Sequence, residues 1–411
     1  MTQTAAPNTR YVDTPDALHA LCEILAGCDR LAIDTEFIRE RSYAPKLELI
    51  QVATPDGLIA VIDYAKLGTR ADGPFGALLT DPTILKVFHA ADQDLEILLA
   101  LTGARITPVF DTQIAAGLVG FGAKQSYGAL VEATQGFRLA KGESMTDWSI
   151  RPLTPAQLDY AMDDVRYLLA VHDRLRGDLA ARGRLDWAFQ ETEALQNNIT
   201  STLGLRNDPR TCFLRVKGRG SLDAQQLAVL RELAAWRENE AQRRDKPRGS
   251  VLKDELLVEI ARRRPKSAGQ LKNLRGIHPR DLERSGDDLV AVVAKALGMP
   301  RSEYPVPEPS MPAPDEQTLA LTDLLQAVVH SVAARESVAA SMLATNGELQ
   351  RLADTFRRGD RCQDLPVLSG WRGSLVGNDL LAVLEGRSVV AWNPQTQMLM
   401  VTSPQALEAV R

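Results

Sequence analysis

Three short apolar runs stand close together early in the chain, at residues 31–37 (LAIDTEF), 47–53 (LELIQVA) and 58–63 (LIAVID). They are rich in β-branched residues, and the stretches between them, RERSYAPK and TPDG, are turn-prone. Runs of this kind with short connections predict an antiparallel meander. After Pro82 the period changes. Residues 84–90 (ILKVFHA) read as a strand, and 92–101 as a helix with Leu95, Leu98 and Leu99 on one face. A further strand is expected at 108–112, then helical IAAGLVG, and 155–195 are helix-rich, with Pro155 at the first helical position after Thr154. Antiparallel strands followed by strand–helix units predict an α/β domain over residues 1–200, a mixed sheet flanked by helices.

The second half reads differently. Residues 223–245 form a long amphipathic helix, with Leu227, Leu230, Leu233 and Trp236 spaced at three, and further helices are expected at 251–263, 267–274 and 287–297. This predicts a small all-α domain at 220–298. Residues 300–314 hold six of the 22 prolines, which predicts an extended linker over 299–315. Residues 316–358 are helical again, opening a second all-α module that runs to 411. A weak repeat joins the two modules. Leu274-Arg-Gly276-Ile277, followed by Gly286-Asp-Asp-Leu289, recurs as Leu368-Ser-Gly370-Trp371, followed by Gly377-Asn-Asp-Leu380.

Composition adds the class of molecule. The chain has 411 residues, 45% of them hydrophobic and 25% charged, as expected of a globular protein with several domains. No apolar run is long enough for a membrane span, and MTQTAAPNTR carries no signal-peptide pattern. The four cysteines, Cys22, Cys28, Cys212 and Cys362, form no Cys-x-x-Cys pair, so reduced thiols and a cytoplasmic location are expected. The net charge of −5 hides an uneven distribution: residues 1–200 carry −9, residues 201–300 carry +8 and residues 301–411 carry −4. A basic middle third points to a polyanionic partner there.

The chemistry lies in the acidic part. Asp34 and Glu36, two apart in a strand preceded by apolar Leu31–Ile33, share one face. Two like charges at a buried strand end repel and desolvate badly, and a divalent cation resolves the conflict. Oxygen ligands select Mg²⁺ or Mn²⁺ over zinc. Asp94 opens a later helix, with Asp92 available as its cap, and Tyr160 and Asp164 share a face one helical turn apart. Four carboxylates from three elements can surround two divalent metal ions, with the Tyr160 hydroxyl orienting an attacking water.

With these residues the chain resembles the DEDD exonuclease superfamily, in its tyrosine subgroup, and within it the ribonuclease D family. The resemblance rests on AIDTEF (32–37), LIQVA (49–53), FHAADQDLEIL (88–98), FDTQIAA (110–116) and ESMTDWSIRPLTPAQLDYAMDDVRYLL (143–169). It implies a ribonuclease-H-like (DnaQ-like) mixed-sheet fold, with Asp34, Glu36, Asp94 and Asp164 as ligands of two divalent metals and Tyr160 as the catalytic tyrosine. Residues 220–298 resemble an HRDC domain, and the repeat suggests a second HRDC-like module at 316–411. The activity implied is 3′–5′ exoribonuclease, releasing nucleoside 5′-monophosphates from RNA with a single-stranded 3′ end, tRNA precursors in particular. A monomer is expected. A DNA exonuclease of the same superfamily is the alternative within the class, because two-metal hydrolysis does not read the 2′-hydroxyl unless a side chain does. An inert RNA-binding adaptor is the alternative outside it, and four intact carboxylates speak against that.

Candidate substrate contacts complete the reading. Phe37 can stack on a terminal base, and Arg39, Arg41, Tyr43 and Lys46 form a basic, aromatic-interleaved connection beside Glu36. Trp148 and Arg151 lead into the tyrosine helix and are expected to shape the pocket wall. Two runs, holding Arg243, Arg244, Lys246 and Arg248, then Arg262, Arg263 and Arg264, form a basic stripe expected to meet the RNA backbone. His89, Asp111 and Gln113 are expected to be structural.

Overall fold

The computed structural model describes residues 8–68, 72–139, 146–307 and 314–408. A six-stranded sheet organises the first half, in the order β1 (Asn8–Val12), β4 (Leu58–Asp63), β3 (Lys46–Ala53), β2 (Arg30–Ile38), β5 (Leu85–Phe88), β6 (Val109–Asp111). The predicted meander is present: β2 (Arg30–Ile38), β3 (Lys46–Ala53) and β4 (Leu58–Asp63) pair antiparallel. β5 (Leu85–Phe88) runs parallel to β2, and β6 (Val109–Asp111) runs parallel to β5. β1 (Asn8–Val12) adds a parallel edge to β4 that the hydrophobic pattern does not announce. Only Val12 of β1 is buried, so no apolar run marks it.

The sheet is covered on both faces, which is why its central strands read as continuous apolar runs. One face packs Ile33, Ile50, Val52 and Phe88 against helices Pro15–Leu25 and Asp92–Thr102. The other packs Ala32, Ala53 and Val87 against helices Thr112–Leu118 and Leu168–Ala181. The tyrosine helix, Pro155–Arg166, starts as expected, with Thr154 and Gln157 closing a reciprocal capping box and Pro155 at its first position. Asp92 does not cap the Asp94 helix. Ala91 occupies that position, and Asp111 instead accepts the N–H groups of Ala90 and Ala91 at 3.2 and 2.9 Å.

The first helical module has its own core, built on Leu230, Leu233, Leu257, Ile260 and Leu289. Its last helix starts at Pro279 rather than 287, because His278 caps it and Pro279 is preset for a first turn. Among the described residues the second module has no separate core. Val328, Val332, Leu349 and Leu380 join one apolar cluster with Ala115, Leu168 and Val171 of the sheet domain. Trp371 stacks on Trp187 with ring centroids 4.7 Å apart, and its indole N–H donates to Glu191 at 2.9 Å. The first glycine of each repeat copy, Gly276 and Gly370, adopts positive φ.

The all-α expectation for residues 316–411 is corrected by a hairpin, β7 (Val389–Asn393) with β8 (Met398–Thr402). Asn393 turns the chain by accepting from the N–H groups of Gln395 and Thr396, and Ser331 of helix Glu316–Glu336 donates to the Leu399 carbonyl at 2.8 Å. The proline linker leaves the first module through a short turn at Arg301–Glu303, and its residues 308–313 lie outside the described residues. No helix among the described residues is long and apolar enough to cross a membrane.

Candidate metal centre and nucleic-acid face

Carboxylate oxygens of Asp34, Glu36 and Asp164 all lie within 4.8 Å of one another. The β2–β3 register shifts between Glu36 and Phe37, a bulge that turns the strand end where the acids sit. Asp94 is buried on the first turn of its helix and lies outside that trio; the Thr35 hydroxyl donates to its carboxylate. Its charge nevertheless reaches the others. Burial pushes Asp34 well above the usual carboxylate range, followed by repulsion from Asp94, Asp164 and Glu36. Burial, then Asp164 and Asp94, pushes Glu36 up to about 8. Asp164 rises to about 7 through burial and Asp163, and Asp94 to about 6 through burial, partly offset by the Thr35 hydrogen bond.

Among the described residues no Lys, Arg or His forms an ion pair with Asp34, Glu36 or Asp164. Crowded, desolvated carboxylates without a protein cation fit a hard divalent metal, which accepts several oxygen ligands at once. Tyr160 lies one turn before Asp164, its ring centroid 6.1 Å from that of buried Trp148. Burial and the charges of Asp164, Glu36 and Asp34 raise its hydroxyl pKa, so it keeps its proton.

Two polar residues at this site escaped the sequence reading of roles. Thr35 fixes Asp94. Gln51 is fully buried, stands opposite Asp34 in the β2–β3 register, and neither amide atom has a partner among the described residues. The available signal was a lone amide inside the apolar run LELIQVA. His89, Asp111 and Gln113 support the scaffold: His89 bonds the Thr112 hydroxyl and the Gln125 carbonyl, each at 3.0 Å, and Asp111 caps the following helix, accepting from the Gln113 N–H.

The proposed substrate cations are placed less simply. Arg39 lies over the Phe37 ring, 5.5 Å from its centroid, and pairs with Glu96. Arg41 pairs with Asp147 at 2.9 Å, and Lys46 with Asp245 at 2.9 Å. Tyr43 donates its hydroxyl to Glu238 and its backbone N–H to Asp245, docking the β2–β3 connection on the first helical module. Arg151 is held by Asp63 at 2.7 and 2.9 Å and by the Trp148 carbonyl, so it pins the wall beside the tyrosine helix. The basic stripe is largely matched from within. Arg243 and Arg244 pair with Glu240, Arg248 with Glu238, and Arg262 and Arg263 with Glu259, while Arg264 bonds Gln225. Lys246 follows Asp245 at the end of the same helix.

A mixed sheet presenting this carboxylate set defines a 3′–5′ exonuclease domain, and comparison with known proteins agrees. The family model described as 3′-5′ exonuclease matches residues 9–180, and the HRDC domain model matches residues 226–293. Ribonuclease D of Granulibacter bethesdensis is 39% identical over 382 residues, covering 92% of this chain and 93% of the relative. That of Acidiphilium cryptum is 38% identical over 386 residues, covering 94% and 95%. The crystal structure of Escherichia coli RNase D, described as an exoribonuclease involved in structured RNA processing, superposes with a TM-score of 0.79 at 32% identity, covering 92% of this chain and 99% of that one. The catalytic core of RRP6 from Trypanosoma brucei matches with a TM-score of 0.54 at 28% identity, over 72% and 82% of the two chains. The chain belongs to the ribonuclease D family.

Proposed function

We propose that this enzyme removes nucleotides one at a time from a single-stranded RNA 3′ end, with structured RNAs such as tRNA precursors as substrates. Asp34, Glu36, Asp94 and Asp164 would hold two divalent cations, Mg²⁺ or Mn²⁺. Bound there, such cations supply an activated water and neutralise charge developing at phosphorus. The observation that carries the reading is the convergence of three half-buried, mutually repelling carboxylates with no protein counter-ion among the described residues, and a fourth, buried one at electrostatic range. Tyr160 keeps its proton and offers one hydrogen bond to orient the attacking water. Phe37, partly buried and next in the chain to Glu36, would stack on the terminal base. Trp148 and Arg151 build the wall, and Arg39, Arg41 and Tyr43 keep the adjoining connection in place.

The first helical module supplies affinity for the RNA body, and the second, an HRDC-like repeat in this reading, buttresses the catalytic domain. One chain provides every acid and the tyrosine, which suits a monomer. Four unpaired cysteines suit a reducing cytoplasm. The test is degradation of a 5′-labelled RNA by wild type and by Asp34→Ala, with Mg²⁺ or with chelator. A ladder shortening from the 3′ end is expected only for wild type with metal. Internal or metal-independent cleavage would refute the mechanism, and faster loss of a matched DNA would overturn the choice of RNA.

A further inference from the structure

The basic middle of the chain does not spread its positive charge evenly. Most arginines of the stripe are matched by glutamates one helical turn away. Part of the unmatched charge lies around a cavity of about 450 Å³ between the end of helix Leu185–Asn207, the turn at Cys212–Arg215 and the first helical module. Six cationic side chains line it, Arg206, Arg215, Lys217, Arg237, Arg248 and Lys253, against three acidic ones. Two of those acids are already engaged, Glu238 by Arg248 and Asp254 by Arg237. The side chains of Lys217 and Lys253 have no ion pair or hydrogen bond among the described residues, and Arg215 bonds only the Thr202 carbonyl.

Two contact chains run from the cavity toward the strand that carries the acids. On one side Arg206 donates to Glu96 at 2.8 Å; Glu96 also takes Arg39, and Arg39 lies on Phe37, the residue after Glu36. On the other side Arg248 lies over the Tyr43 ring, 4.3 Å from its centroid, in the connection that leaves the same strand. We propose that this cavity binds phosphodiester groups of the substrate strand upstream of the nucleotide being removed. The inference rests on the exoribonuclease reading and deepens it. Arg237 and Arg248 are fixed by their carboxylate partners and form the rigid floor, while Lys217, Lys253 and Arg215 supply the unspent charge. Phosphate is the ligand chemistry, and backbone phosphate is favoured over a free nucleotide because both contact chains lead to the strand that carries the acids.

The test uses the full chain. Binding of a 5′-fluorescein oligouridylate of about 12 nucleotides is read by anisotropy in chelator, across a salt series, for wild type, K217E/K253E and a control pair on the same module outside the cavity, K266E/K272E. The cavity pair is expected to weaken binding about tenfold or more at low salt and to flatten the salt slope by about 1.4, two phosphate contacts of a single strand. The control pair is expected to stay within about twofold. Equal losses in both pairs, or an unchanged cavity pair, would overturn the proposal. So would calorimetric binding of uridine monophosphate that vanishes in the cavity pair while RNA affinity stays unchanged, since that assigns the cavity to free nucleotides. Wild-type trimming of the same oligomer with Mg²⁺ is read alongside. If trimming is absent while the cavity pair still loses binding, the exoribonuclease reading fails and the phosphate site stands.

Discussion

Gln51 on β3 stands directly opposite Asp34 on β2, on the face that carries the proposed metal-binding carboxylates, and both ends of its buried amide lack a partner among the described residues. An unpartnered buried amide costs about 1–3 kcal/mol. Gln51→Leu is therefore expected to raise the stability of the metal-free protein by about 1–2 kcal/mol. The same change removes a polar neighbour that can orient Asp34, so metal affinity should fall about tenfold. Chemical denaturation in chelator and calorimetric titration with Mn²⁺ measure the two effects. A destabilised metal-free variant would mean that Gln51 serves packing alone.

The raised pKa values fix a sign for the pH dependence. Folded Glu36, Asp164 and Asp94 titrate near 8, 7 and 6, against about 4 in an unfolded chain. Between those limits the folded state binds protons that the unfolded state has released, so this cluster's contribution is full below about pH 4 and is lost as pH rises toward about 8. A divalent cation replaces the missing protons. The melting temperature gained on adding Mg²⁺ or Mn²⁺ should be larger at about pH 8 than at about pH 5.5. An equal gain at both would contradict the carboxylates as the binding site.

Tyr160→Phe isolates the hydroxyl. The ring stays against Trp148, and no metal ligand is lost. Turnover should fall about a hundredfold with metal affinity unchanged. Single-turnover rates at saturating metal report this, and a matching loss of metal affinity would place the hydroxyl among the ligands instead.

The shared core makes a prediction about the far end of the chain. Trp371→Ala removes a buried ring stacked on Trp187 and should cost about 3–5 kcal/mol. Because the cluster is continuous with Leu168 and Val171, hydrogen exchange should accelerate in helix Leu168–Ala181. Exchange faster only beyond residue 314 would show two independent units. For the same reason, deleting residues 314–411 should expose apolar surface on the catalytic domain rather than trim off an optional binding module.

The sequence alone determined the central strands and the tyrosine helix, and it singled out the acids that the fold brings together. Those features are local: strands buried on both faces read as unbroken apolar runs, Thr154 and Pro155 mark a helix start by their own chemistry, and acids two or four apart share a face by geometry. Tertiary structure decided the rest. An apolar helix face does not name its partner, so only packing revealed that the last module shares a core with the sheet domain while the HRDC module keeps its own. Exposed β1 leaves no hydrophobic trace. Formal charge counts every cation alike, and only the fold shows which are matched by a neighbouring glutamate and which, as Lys217 and Lys253 beside the cavity, leave positive charge unspent. Charge along the chain is additive, but the field a partner meets depends on where each counter-charge lies in space.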